Sequence, residues 1–397
     1  MFPHELRIGA GLPIPATEVE STPASPARAS EVVARTSDRI EAKGTGATSG
    51  ALATNSAAQI REPLRRRSSA EFDFVVVGAG AAGATTAARL VEQGYRVLVL
   101  ERGEEHANVL ARDVPAGHAK ASEDPRLLVD DTGYFVRFFD DQKRNESNPN
   151  YDHERGGFFY PRGEGIGGST QQHAMIFVRA PDVDFDRIAE LTGDASWSGK
   201  NMQQFWNVLE QNRYQPILRG LHWLGKVTNI EALQNLGGYG FDGWQKTTRA
   251  DVKILLRDKQ LLSLALRTLW FCMSHFDGET PVVRQLGDKV RNLIAKFDPN
   301  HSLSRGREGF RILPKMIDEN GRRFGPRERL LSVLEEHPDR LTIRTGCTVD
   351  RVELDDSMRA NHVEYLDENG ERQQVLAGRE VVLAAGSFET PMILMRS

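Results

Sequence analysis

Gly78, Gly80 and Gly83 sit in the run FDFVVVGAGAAGATTAARLVEQGYRVLVLERG, between an apolar strand pattern and a small-residue helix pattern. G-x-G-x-x-G at such a junction can bind a pyrophosphate. The first glycine permits a tight turn, the second lets backbone approach the phosphates, and the third lets helix and strand pack closely. The phosphates would rest on the helix N-terminus, where free N–H groups and the dipole favour negative charge. A glycine triplet alone is weak, but here Glu101 closes the second strand about 20 residues on, where an acid takes ribose hydroxyls. An acid argues against a 2′-phosphate and leaves both NAD and FAD open.

A second glycine cluster lies in PRGEGIGGSTQQHAMIFVRAPDVDFD, Pro161 to Asp186. Gly167-Gly168-Ser169-Thr170 before an apolar run is another place where bare backbone can press on a flat ligand. With these residues the chain resembles the glucose–methanol–choline (GMC) flavoprotein oxidoreductases. The family's first signature has a Gly-Gly pair, two small or hydroxyl residues, an Asn or His, an aromatic and a closing acid. Here they are Gly167-Gly168, Ser169-Thr170, His173, Phe177 and Asp186. Glu164 departs from a usual basic or amide residue, and Gln172 from a usual apolar one. GFDGWQKT (Gly240 to Thr247), NGRRFGPRERLL (Asn320 to Leu331) and GSFETPMILMRS also resemble family segments. The resemblance covers nearly everything after residue 72, and is poor over 215–300 outside GFDGW.

The resemblance implies FAD. Gly78, Gly80, Ala81, Ala82 and Gly83 would line the pyrophosphate, and Glu101 would hold the adenosine ribose. Ser169, His173 and Ala174 would lie along the isoalloxazine and ribityl, Gly167 and Gly168 would be cofactor-binding beside them, and Val349 would meet the adenine through its backbone. His173 has three readings: a flavin contact, a histidine supporting that contact, or a base. Family members with covalent flavin place the tethering His at the position of Gln172, so the FAD is expected to be non-covalent.

The implied activity is oxidation of a small-molecule alcohol at its CH–OH group by hydride transfer to the flavin. The family's base is a His supplied after the second signature. The chain reaches Ser397 first, so a truncation is expected, with no catalytic residue among the 397. The rival readings are a catalytically inactive flavin- or nucleotide-binding module, half of a split enzyme, or a flavoprotein with a different donor.

The elements that must position these residues follow from pattern. Residues 1–70 are rich in Ala, Ser, Thr, Pro and Gly and read as a disordered arm; REPLRRRSS lacks the apolar stretch of an export signal. The expected fold is α/β: a Rossmann-like FAD-binding domain in two parts, 71–190 and 305–397. A helical, incomplete substrate-cap region, 191–304, is inserted between them. WSGKNMQQFWNVLEQN predicts a helix entered at Trp197-Ser198. LTIRTGCTV and HVEYLDENGERQQVLAG predict strands, with a hairpin at Asn369-Gly370, and EVVLAAG predicts a strand buried on both faces.

With 397 residues, 39% of them hydrophobic, the chain can bury a sizeable core, and by length it holds two or more domains. A net charge of −4 gives no reason to expect nucleic acid. The two cysteines form no disulfide framework, the histidines lack metal-ligand spacing, and no metal is expected. No run reaches the roughly 20 apolar residues of a membrane span. LLSLALRTLWFCM, Leu261 to Met273, is the nearest and reads as a packed helix. A cytoplasmic location is expected, and the oligomeric state is left open.

Overall fold

The computed structural model describes residues 70–105, 114, 133–249, 257–276, 297–302, 305 and 311–397. The expected arm lies outside these, Ala70 excepted. Strand β1 (Phe72–Val77), helix α1 (Ala81–Glu92) and strand β2 (Val97–Leu100) open the described fold. Both strands are buried at every position, as their uninterrupted apolar sequences require of parallel strands covered on two faces. α1 turns Gly83, Ala84, Ala87, Ala88 and Val91 inward. Those small side chains let it lie close to the sheet.

Strands β3 (Gly133–Val136), β4 (Tyr151–Asp152) and β5 (Gly157–Pro161) form a small antiparallel sheet in the order β3-β5-β4. The chain continues through α2 (Asp182–Thr192), α3 (Gly199–Leu209), β6 (Glu210–Asn212), α4 (Pro216–Thr228), β7 (Gln245–Thr247) and α5 (Lys259–Phe276). β6 pairs with β7 in parallel. Glu210, fully buried, fixes this region: it pairs with the buried Arg179 at 2.5 Å and accepts from the Gly240 amide and the Thr247 hydroxyl. After it come α6 (Pro326–Glu336), β8 (Leu341–Arg344), β9 (Thr348–Leu354), β10 (Ala360–Leu366), β11 (Arg372–Leu383) and α7 (Gly386–Arg396).

The main sheet runs β8-β2-β1-β11-β10-β9. β8, β2, β1 and β11 are mutually parallel, while β11, β10 and β9 form an antiparallel meander. One strand serves both halves. Residues 372–376 of β11 pair antiparallel with β10, and residues 377–383 run parallel to β1. Phe74 and Val76 face a core with α1, Leu330 and Val333, whereas Val75 and Val77 face a second core with Val349, Val363, Tyr365 and Ile393. Phe72 joins the second core against the strict alternation because the β1–β11 register shifts between Phe72 and Phe74.

Two expectations need revision. Val381, Val382 and Leu383 lie within EVVLAAG but are only half-buried, because α1 packs on β1 and β2 and leaves β11 outside its footprint. Leu261–Met273 is helical, within α5, but it is not packed as expected. Leu261, Leu264, Leu266 and Phe271 are exposed among the described residues. The hairpin expected at Asn369-Gly370 forms, as a three-residue loop with positive φ at Gly370 (+76°). Nothing lies within 4 Å of a Cβ built on Gly370, so its backbone alone demands glycine. Gly370→Ala is expected to lower stability by about 1 kcal/mol in urea unfolding. An unchanged midpoint would refute the left-handed geometry.

Candidate functional site

The three glycines of the first turn are required for three different reasons. Gly78 leaves β1 at φ +95°, and a Cβ there would meet the Ala384 carbonyl oxygen at 2.7 Å, where β11 passes into α7. A Cβ on Gly83 would lie 1.8 Å from the carbonyl oxygen of Gly78. A Cβ on Gly80 would meet nothing within 4 Å. The fold itself therefore does not need glycine at 80; the open space does. That space lies at the start of α1, which has no acidic residue in its first turn and no side-chain cap, and where Ala81 and Ala82 are exposed. Uncapped amides beside a bare Cα make a seat for a phosphate.

Glu101 sits at the tip of β2, 7% exposed. Its Oε2 accepts from the Ala79 amide at 2.6 Å, and its Oε1 from the amides of Gly103 at 3.0 Å and Gly165 at 3.1 Å. Burial pushes this carboxyl above its ordinary range, outweighing the three amides that favour the charged form. One side chain thus gathers the first glycine turn, its own strand end and the second glycine cluster.

The second cluster lies against the first. The Gly167 amide donates to the Ala79 carbonyl at 2.9 Å, and a Cβ on Gly168 would come within 3.1 Å of the Gly80 Cα. Gly167 at φ +95° and Gly168 at φ +51° start a 3-10 turn, Gly168–Gln171, that carries Ser169 exposed. The Ser169 hydroxyl accepts from the Gly163 amide at 3.1 Å. His173 and Ala174 follow, half-buried. The Met175 amide donates to His173 Nδ1 at 3.0 Å, which leaves Nε2 to carry the ring proton. Met175 itself adopts φ +56°, a conformation costly for a side-chain-bearing residue, and is held there by the bond from the Met316 amide to its carbonyl at 2.7 Å. Lys315 Nζ donates to the Ala174 carbonyl at 3.2 Å.

The sequence-predicted residues therefore fall into three groups. Gly78, Gly80, Ala81, Ala82, Gly83, Glu101, Gly167 and Gly168 share one contiguous cradle. Ser169, His173 and Ala174 extend it along the segment that leaves the second cluster. Val349 stands apart in β9, buried opposite Tyr365, and reaches the cradle through Cys347, whose amide donates to the Glu101 carbonyl at 2.8 Å.

Sequence reasoning missed several residues that build the cradle. Gly103 and Gly165 pack so closely that a Cβ on Gly103 would lie 2.2 Å from the Gly165 nitrogen. Arg323, buried, donates to the carbonyls of Thr170 at 2.8 Å and His173 at 2.9 Å. The glycine spacing in ERG and PRGEG was a usable signal for the first pair. NGRRFG held Arg323 but gave no hint of its target.

A sheet with a parallel half whose strand–turn–helix unit ends in a buried acid, with a second glycine turn laid on the first, defines a dinucleotide-binding fold. A family model described as GMC oxidoreductase matches residues 275–397, and one described as NAD(P)-binding Rossmann-like domain matches residues 76–132. These matches support a GMC-family oxidoreductase, a family whose cofactor is FAD. It is 24% identical to a dehydrogenase of Hericium erinaceus over 87% of this chain and 50% of that protein. It is 26% identical to an oxygen-dependent choline dehydrogenase of Pseudomonas putida over 83% of this chain and 48% of that one. Its fold matches the crystal structure of a pyridoxine 4-oxidase from Mesorbium loti with TM-score 0.55 and 24% identity, covering 82% of this chain and 52% of that one. The chain spans about half the length of the curated relatives it matches.

The cradle fits FAD. Open space at Gly80 suits the pyrophosphate, Glu101 offers lone pairs beyond its three amide bonds, and Ser169 is exposed with His173 and Ala174 half-buried. Among the described residues no helix is long and apolar enough to cross a membrane.

Proposed function

We propose that this chain provides the FAD-binding part of an oxidoreductase that oxidises the CH–OH group of a small alcohol. The observation that carries the reading is the convergence of two glycine clusters on Glu101 around the open seat at Gly80. FAD, when bound, supplies the hydride acceptor for the alcohol carbon. The chain's own residues do the holding. α1 amides and Gly80 receive the diphosphate, Glu101 accepts from the ribose, and the turn from Gly167 to Ala174 supports the ring end. Residues 71–190 and 305–397 form the binding domain in this reading, with 191–304 as a substrate cap.

The flavin is held without a covalent bond, because Gln172 stands where a tether would need a histidine and an amide cannot make that bond. In this reading no described residue of this chain is assigned as the base that takes the alcohol proton. A cytoplasmic, reducing setting completes the proposal, supported by the unpaired, buried Cys347.

The test is anaerobic mixing of the FAD-loaded protein with choline, pyridoxine and simple primary alcohols while the flavin absorbance is followed. The chain alone is expected to bind FAD and stay oxidised. The same chain joined to a counterpart of the relatives' second half is expected to bleach with at least one alcohol. Loaded flavin that no alcohol reduces in the longer protein would favour an inactive flavin-binding module instead. Acid precipitation should leave the yellow colour in the supernatant, and a coloured pellet would refute non-covalent binding.

A further inference from the structure

Arg102, the residue after the ribose acid, points to a different set of partners. Its Nη1 donates to Glu389 Oε1 at 2.6 Å, and its Nη2 pairs with Glu164. Glu164 belongs to the second glycine cluster, and Glu389 to the first turn of α7. Tyr134 of β3 also donates to Glu389, and its ring stacks on Phe388 at 4.6 Å with the planes 20° apart. Tyr160 of β5 reaches the other partner of that stack, Phe388, at 5.5 Å. One guanidinium therefore links the tip of β2, the second glycine loop, the start of α7 and, through Tyr134, the β3–β5 sheet. All three acidic and phenolic partners are mostly shielded from solvent, and Arg102 itself is about one-third exposed, at 38%.

The link matters because these segments form the walls of the cradle. A Cβ on Gly103 would lie 2.2 Å from the Gly165 nitrogen, so the second loop packs against the β2 tip, and the pair of Glu164 with Arg102 adds a side-chain tie to the backbone bonds that hold it there. Gly78 leans on Ala384 and Ala385, directly before α7, so the pyrophosphate turn inherits any movement of that helix. Two adjacent side chains divide the work: Glu101 gathers backbone amides beneath the loops, and Arg102 gathers carboxylates beside them. The arrangement also accounts for Glu164, an acid where the family pattern usually has a basic or amide residue. Arg102 supplies the positive charge within reach of it.

We infer that Arg102 is a positioning residue for the cofactor: by holding Glu164 and Glu389 together it sets the second glycine loop and the α7 start at the spacing that the dinucleotide requires. The inference rests on the FAD reading above. It makes no claim that Arg102 touches the flavin.

The test is a titration of the FAD-stripped protein with FAD, together with melting curves in the presence and absence of FAD. Arg102→Met keeps the aliphatic stem and loses both ion pairs; it is expected to raise the FAD Kd by about tenfold, within the usual range for coupling between a remote contact and a ligand. The Tm gained on adding FAD should shrink more than the Tm of the stripped protein falls. Arg102→Lys should recover part of the affinity. In a double-mutant cycle, Arg102→Met and Glu164→Gln should be non-additive, since either breaks the same link. A methionine variant that binds FAD like the parent overturns the inference, as does a loss of stability that leaves the FAD-induced gain intact or a cycle that is additive. A parent protein that takes up no FAD overturns the cofactor reading itself, a result distinct from these.

Discussion

Gly83→Ala is expected to abolish FAD retention and to lower the melting temperature of the stripped protein markedly, while Gly80→Ala is expected mainly to weaken FAD binding. The two substitutions add the same methyl group three residues apart. At Gly83 the new carbon would sit 1.8 Å from the Gly78 carbonyl oxygen, which is backbone, so no rotamer change relieves the overlap. Overpacking of this kind costs about 1–3 kcal/mol and more where backbone must shift. The displaced atom belongs to the turn itself, so binding is lost with stability. At Gly80 the same carbon meets open space, and φ −68°, ψ −167° suits any residue. Loss of glycine from an N-cap should cost the free protein about 1 kcal/mol or less. The methyl then competes with the diphosphate, and a clash worth about 1–3 kcal/mol weakens FAD about ten- to a hundredfold. Calorimetric titration and thermal melts of both variants decide the matter. Equal FAD affinity for Gly80→Ala and the parent would mean that the phosphates do not lie at this helix start.

The contrast also shows what the sequence could and could not reveal. The spacing Gly78, Gly80, Gly83 and Glu101 was legible because its causes are local: a turn, a helix start and a strand end within one supersecondary unit. His173 and Ser169 were found through the glycine pair beside them. Arg102 and Glu389, 287 residues apart, pair only because β11 returns beside β1 and delivers α7 to the cradle. No periodicity encodes that meeting. The double use of β11 was hidden for the same reason, since QQVLAG and EVVLAAG read as separate strands until both partners are known. α5 shows the limit from the other side. An apolar pattern states which residues favour burial, but Leu264 and Phe271 remain exposed among the described residues because burial depends on a neighbour, which the pattern does not contain.

Glu101→Gln carries the second large effect, and it should appear as stability, affinity and pH dependence together. The carboxylate offers acceptors on both oxygens, one for the Ala79 amide and one shared by Gly103 and Gly165. A carboxamide offers one oxygen, so its NH2 must face an N–H donor at about hydrogen-bond distance. A buried amide left unmatched costs about 1–3 kcal/mol. In the parent, burial raises the folded carboxyl above its ordinary value. The unfolded chain therefore loses its proton first as pH rises. Stability contributed by this group is complete below the ordinary glutamate range, declines as pH climbs toward the folded value, and is level above it. FAD reverses the preference locally. A ribose hydroxyl donating to Glu101 favours the charged form, so binding expels a proton across the same window. Affinity for FAD should then rise with pH until Glu101 is ionised in the free protein, and flatten beyond. The amide variant binds weakly and has no proton to expel, so its profile should lack that rise. Parallel slopes for parent and Glu101→Gln would show that another group titrates with binding, and that Glu101 serves only to knit the glycine loops.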